Sequence, residues 1–133
     1  MHKSKLVAAL IDVPLAVNEQ EVAFWAGALG RTPKRDPDDP AYADFGEVIP
    51  GMMFMVQAVD AAARIHLDIE TDDVESEVRR LETLGAVRVR QTESWWVMRD
   101  PAGVQFCVVR VQAPGMFLSL STTWPDGPPD LAG

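Results

Sequence analysis

Residues 64–70 read Arg-Ile-His-Leu-Asp-Ile-Glu, an unbroken alternation of polar and apolar side chains. In an extended chain this period puts His66, Asp68 and Glu70 on one face and Ile65, Leu67 and Ile69 on the other. An imidazole on such a polar face suits a ligand, a general base or a hydrogen-bond donor working near neutral pH. His66 is therefore the candidate catalytic residue. Asp68 and Glu70 have a plainer use, meeting water or satisfying neighbouring backbone, although a pocket over this face would take in Asp68 as well.

Other chemistry-bearing residues stand further along the chain. Cys107 lies in the apolar run 104–111 with no local activator, the setting of an inert core thiol more than of a nucleophile. Trp95 and Trp96 are adjacent on a strand, so one packs inward and the other is available to stack on a ligand; parity alone leaves the choice open, and Trp96 is counted among the pocket candidates. Met52, Met53 and Met55 with Phe54 make a soft apolar strand beside Gln57, suited to varied apolar ligands, though such runs are more often plain core. Asp36, Asp38 and Asp39 are broken by prolines and lack the glycine and distal glutamate of a calcium loop, so they read as a solvated loop. There is no phosphate-cradling glycine loop and no nucleophile elbow. The candidate ligand pocket is thus Gln57, His66, Asp68, Trp96 and Cys107.

The elements that must carry these residues come in two similar sets. Residues 6–13 form a short apolar strand closed by Pro14. Asn18 with Glu21 offers a capping pair, Val22, Trp25, Ala26 and Leu29 follow at helical spacing, and Gly30 supplies a left-handed stop. Residues 31–40 read as a solvated loop; 42–49 and 52–59 read as strands joined by Pro50-Gly51. The pattern then restarts: strand 64–70, a capping pair Asp72 and Glu75, a stripe of Val74, Val78, Leu81 and Leu84, and a stop at Gly85. Strands at 86–91, 94–99 and 104–111 follow, the last two joined through Asp100-Pro101-Ala102-Gly103. Two βαβββ modules of this kind bury their apolar faces within one chain, usually as a curved sheet with helices outside. From Gln112 onward the repeat stops; 116–120 is expected to add an edge strand or to cover an apolar patch, and the Pro- and Gly-rich end carries no repetitive structure.

Bulk properties narrow the field. The 133 residues suffice for one ordinary domain, and 47% hydrophobic with 24% charged is globular composition. A formal charge of −8 with no basic run opposes a nucleic-acid partner. A single cysteine excludes an internal disulfide framework and fits a reducing compartment. No apolar run is long enough to span a bilayer, and Asp12 interrupts the only stretch resembling a signal core. The expectation is a cytoplasmic protein without membrane contact.

The second half, with His66-Leu67-Asp68-Ile69-Glu70-Thr71-Asp72-Asp73-Val74, then Leu81-Glu82-Thr83-Leu84-Gly85-Ala86, then Trp96-Val97-Met98-Arg99-Asp100-Pro101-Ala102-Gly103, resembles the glyoxalase-like branch of the vicinal oxygen chelate superfamily, which includes bleomycin-resistance-like proteins. Phe24-Trp25 through Leu29-Gly30 matches the first helix of that family, and the likeness spans about residues 5–111. The resemblance implies an α+β fold with a curved mixed sheet (the glyoxalase/bleomycin resistance/dioxygenase fold). It implies a single domain: module one at about 5–59, module two at about 64–111, and an extension over 112–133. It also implies a divalent metal, Zn, Ni, Mn or Fe, held by the first and last strand of each half. Carried over position by position, His66 matches and Gln57 is a weak ligand. Leu10, or Ala9 after a one-residue slip, cannot ligate, and Cys107 stands where a carboxylate is usual. The expectation is an incomplete metal site.

Three functions follow. The first is a protein holding a small apolar or aromatic molecule in the concave face without a complete metal site. The second is a divergent lyase or isomerase using His66, with or without a metal. The third is a non-catalytic interaction module, dimeric through a sheet edge or the tail. A homodimer is expected under each.

Overall fold

The computed structural model describes residues 1–126. The elements are β1 (His2–Pro14), α1 (Asn18–Leu29), β2 (Lys34–Asp36), β3 (Asp39–Ile49), β4 (Met52–Val59), β5 (Arg64–Thr71), α2 (Val74–Thr83), β6 (Val87–Thr92), β7 (Trp95–Arg99), β8 (Gln105–Arg110), α3 (Pro114–Leu120) and β9 (Thr122–Trp124). By contacts they divide into two compact units, Ala8–His66 and, separately, Met1–Val7 with the chain from Leu67 onward. No helix is long and apolar enough to cross a membrane among the described residues.

In the Ala8–His66 unit the strand order is β2-β3-β4-β1, with β1 parallel to β4 and the other pairs antiparallel. One face packs on α1: Val13, Val22, Ala43, Phe45 and Val56 are buried together, with Ile11, Trp25 and Phe54 against them. Trp25 contacts Phe54 at 5.2 Å between ring centres, a favourable tilted arrangement. Because Phe54 and Val56 face the helix, Met53, Met55 and Gln57 must face the other way, as do their register partners Ala8, Leu10 and Asp12 on β1. Tyr42, paired with Gln57, shares that second face.

The other unit repeats the plan. Its order is β5-β8-β7-β6, again with the strand before the helix parallel to the last strand of the module. Val78 of α2 is buried with Met98 and Val108, and Val74, Leu81, Trp96 and Phe106 pack around them. β9 runs antiparallel to His2–Ser4. Both modules are mixed sheets with a helix on one face, so the α+β class and the duplication expected from the sequence are present.

Several local expectations are corrected. Residues 31–40 are not wholly loop: Lys34–Asp36 pair with β3, which itself begins at Asp39. Polar, proline-rich edge residues carry no hydrophobic alternation, so backbone pairing alone makes this strand. Residues 116–120 lie in the helix α3, and the edge strand comes later, at Thr122–Trp124. Pro114 at the start of α3 is a favourable first helical residue. Asn18 begins α1 but does not cap it; its Oδ1 accepts from Arg35 at 3.3 Å. At α2 the cap is Asp73, which accepts from Ser76 N at 3.0 Å, while the carboxylate of Asp72 accepts from Lys3 N. Gly30 does end α1, with φ of 63°. The end of the tail, 127–133, lies outside the described residues.

Candidate functional site

A fully buried carboxylate organises the polar end of the α1-free face. Asp12 sits in the apolar strand β1, and such a charge must be partnered to be tolerated. Its Oδ2 accepts from Arg64 Nε at 2.9 Å and from His66 Nδ1 at 2.7 Å. Both donors come from the start of β5. A carboxylate only accepts, so Nδ1 carries the ring proton and, in the neutral imidazole, Nε2 holds the lone pair. Asp12 therefore does for His66 what a carboxylate does in acid–base sites and metal sites alike: it fixes tautomer and ring orientation. Asp12 Oδ1 has no hydrogen-bond partner among the described residues.

A transverse row continues from Asp12. Register places Gln57 beside it on β4 and Tyr42 beside Gln57 on β3. Gln57 Nε2 donates to the Tyr42 hydroxyl at 2.9 Å. The rows next to this one are apolar on both central strands: Leu10 with Met55, then Ala8 with Met53. Leu10 and Ala8 are buried and the two methionines half-buried. The face thus offers two thioethers as an adaptable bed and, at one end, a phenol, an amide, a carboxylate and an imidazole. Gln57 and His66, two of the residues singled out from sequence, stand in this one unit. Asp12, Arg64 and Tyr42 were missed.

The remaining candidates belong to the other unit. Asp68 pairs with Cys107 across β5 and β8, and Cys107 with Val97 across β8 and β7. Since Phe106 and Val108 face α2, Asp68, Glu70 and Cys107 face away from it. Trp96 lies on the α2 side, beneath the Arg88 guanidinium at 4.9 Å, and so does not join Asp68 and Cys107. It instead lines an open cleft of about 600 Å³ together with Thr71, Glu75, Gln91 and Arg110. Glu70 is buried, and its Oε2 accepts from Gln112 N at 2.7 Å and Ala113 N at 3.2 Å, holding the lead-in to α3.

A second polar cluster, unforeseen from sequence, joins α2 to the two ends of the described chain. Glu77, fully buried, takes His2 Nε2 at 2.6 Å, the Ser4 hydroxyl at 2.9 Å and two nitrogens of Arg80 at 2.9 and 2.7 Å. Trp124 Nε1 donates to Ser4 Oγ at 2.8 Å, and Arg80 lies 3.8 Å over the Trp124 ring. Burial pushes the Glu77 carboxyl up, but the hydrogen bonds from Arg80, His2 and Ser4 and the charge of Arg80 outweigh it and hold it below the usual range.

Within the Ala8–His66 unit the divalent metal implied by the resemblance meets an incomplete donor set, in which the imidazole of His66, oriented by Asp12, is the strongest ligand. Leu10, at the first donor position, is an apolar side chain 2% exposed. Asp12, two residues along, already accepts an imidazole N–H and a guanidinium N–H on Oδ2, so that oxygen is not free to ligate. The amide nitrogen of Gln57 is turned to Tyr42, and one amide oxygen is a poor anchor by itself.

Comparison with known proteins agrees with this architecture. The sequence profile of the family described as Glyoxalase-like domain matches residues 9–109. No functionally curated protein sequence matches the chain. Among solved structures, an NAD-dependent benzaldehyde dehydrogenase from Legionella pneumophila is similar with a TM-score of 0.59 at 14% identity, over 78% of this chain and 99% of that one. Methylmalonyl-CoA epimerase from Mycobacterium tuberculosis is similar with a TM-score of 0.51 at 17% identity, over 82% of this chain and 89% of that one. At these identities the likeness is one of fold. With its profile match and its duplicated module, the chain belongs to the glyoxalase-like domain family and has the α+β fold of the vicinal oxygen chelate superfamily.

Proposed function

We propose that this protein binds a small, largely apolar or aromatic molecule on the sheet face opposite α1 in the Ala8–His66 unit, without the divalent metal that the family resemblance implies. The observation that carries the reading is Leu10. It fills the first metal-donor position with a buried apolar side chain and pairs with Met55, turning that part of the face into a hydrophobic bed. Binding to the native state must raise its stability, so 2-naphthol is expected to raise the melting temperature by the same amount with and without EDTA. A rise that vanishes in EDTA and returns with Zn, Ni, Mn or Fe would overturn the metal-free reading. No rise with any of a panel of apolar aromatics would overturn the binding reading.

A second reading, a lyase or isomerase using His66, is favoured by one contact, the 2.7 Å hydrogen bond from His66 Nδ1 to Asp12. Nε2 is then the basic nitrogen, as proton abstraction requires. This reading expects the protein to speed deuterium wash-in at the α-carbon of simple ketones and hydroxyketones in D2O, and His66→Ala to abolish it. Equal rates for both proteins would remove it.

A further inference from the structure

We infer that the outer face of α1 is covered in solution by α1 of a second copy of this chain, packed antiparallel about a two-fold axis at the level of residue 26. α1 packs on the side of the sheet opposite the proposed ligand face, so either proposal can fail without the other. A helix on the surface of a monomer turns polar side chains outward, and a helix that is apolar all round is a buried one. The last two turns of α1 are of the second kind. After Glu21 the helix reads Val-Ala-Phe-Trp-Ala-Gly-Ala-Leu, without one polar side chain. Val22, Trp25 and Ala26 take the core side. Ala23, Phe24, Gly27 and Ala28 are exposed, Phe24 at 62%, and the lead-in to the helix adds Leu15 at 77% and Val17. Single exposed apolar residues are ordinary, but a continuous patch marks a surface that meets something.

Gly27 points the same way. It sits inside the helix, where glycine costs stability relative to alanine. Its own chain does not demand it, because a Cβ built there meets nothing within 4 Å beyond its neighbours and its own helix backbone. A missing side chain with open space above it lets another helix come close. Phe24 is the matching projection: its ring stands edge-on to Trp25, 5.3 Å between centres, and Trp25 is held against Phe54.

Charge names the partner. Glu19 and Glu21 stand at the start of α1, and Arg31 and Lys34 follow its stop at Gly30. Two copies of this helix laid antiparallel bring each acidic end to the basic end of the other, and a two-fold interface makes every such contact twice. About residue 26, Glu21 faces Arg31 of the second copy and Phe24 faces Ala28, a large side chain against a small one beside Gly27. Both charged groups keep atoms for this. Glu21 Oε1 accepts from Trp25 Nε1 at 2.9 Å and Arg31 Nη1 donates to Phe45 O at 3.4 Å, and their other polar side-chain atoms have no partner among the described residues. An anionic lipid surface is a poorer match, because it repels both glutamates and a chain of formal charge −8.

The experiment is sedimentation velocity of the full chain over a wide concentration range, for the wild type, Phe24→Glu, Gly27→Gln, Glu21→Arg, Arg31→Glu and the last two changes combined. Cooperative thermal melting checks the fold of each; both Phe24 and Gly27 face open space, so their variants are expected to fold. The wild type is expected to be a dimer, and Phe24→Glu and Gly27→Gln to raise its Kd about tenfold or more. Each charge reversal is expected to weaken the dimer, and the combined variant to recover most of the loss. A wild type that is monomeric throughout overturns the inference. A dimer untouched by Phe24→Glu and Gly27→Gln overturns it in favour of another surface, and a combined variant weaker than either single reversal overturns the antiparallel arrangement. A monomer that floats with phosphatidylcholine vesicles, and loses this in Phe24→Glu, overturns it in favour of a lipid surface.

Discussion

Asp12 is the residue on which the site depends, and its role follows from where it sits. A carboxylate in the middle of Val7-Ala8-Ala9-Leu10-Ile11-Asp12-Val13 is held there by Arg64 and His66, each more than fifty positions away. Removing the carboxylate leaves a guanidinium and an imidazole N–H uncompensated. Asp12→Ala is accordingly expected to lower unfolding stability by about 3 kcal/mol, read as a shift in urea midpoint, and Asp12→Asn by clearly less. Leu10→Ala opens a cavity in the same strand and is expected to cost about 3 kcal/mol without changing His66. Of the site, His66 was legible because a strand alternation and a family resemblance both mark it, and Gln57 through the resemblance alone. Asp12 carried a signal too, a charge in an otherwise buried apolar strand, but its partners depend on how distant strands align, which no local pattern shows. Arg64 shares the alternation of residues 64–70 but drew no role from it, and Tyr42 carried no signal of its own.

Among the elements, legibility followed hydrophobic period. α1, α2 and the strands β4, β5, β7 and β8 have apolar stripes or alternations, and they stand where those patterns put them within a residue or two. β2 is polar on an edge and α3 is only seven residues long, so neither has a period to read. The α2 cap fell one residue from its expected place because consecutive aspartates compete, and Asp72 is taken by the backbone of Lys3. Asp73→Ala is expected to cost about 1 kcal/mol, seen in thermal or urea melts, and Asp72→Ala is not expected to weaken the helix start. Glu77 makes the α2 cluster pH-dependent. Its carboxyl is held below the ordinary value of 4.5 in the folded state, so its contribution is complete above that value and is lost as pH falls through the depressed one. Urea midpoints measured from pH 7 to pH 3 are expected to decline at the acid end, and Glu77→Gln is expected to be less stable at pH 7 with a shallower acid decline. A decline unchanged in Glu77→Gln would assign it to other carboxylates.

At the scale of the molecule, the internal repeat read from the two Leu-Gly helix stops appears as two four-strand sets with the same strand order and the same parallel closing pair. Duplication preserved the frame while the side chains diverged: the first module carries Leu10 and Met55 in neighbouring rows, and the second carries Asp68 opposite Cys107. That divergence is why the fold can be read from pattern while the ligand must be argued from individual contacts. The most direct measurement is a methyl spectrum of protein labelled at the methionine methyls, titrated with 2-naphthol in the presence of EDTA. The Met53 and Met55 signals are expected to shift and saturate, while Met98, buried under α2 in the other unit, stays in place. Unmoved Met53 and Met55 signals, or shifts that appear only after a divalent metal is restored, would contradict it.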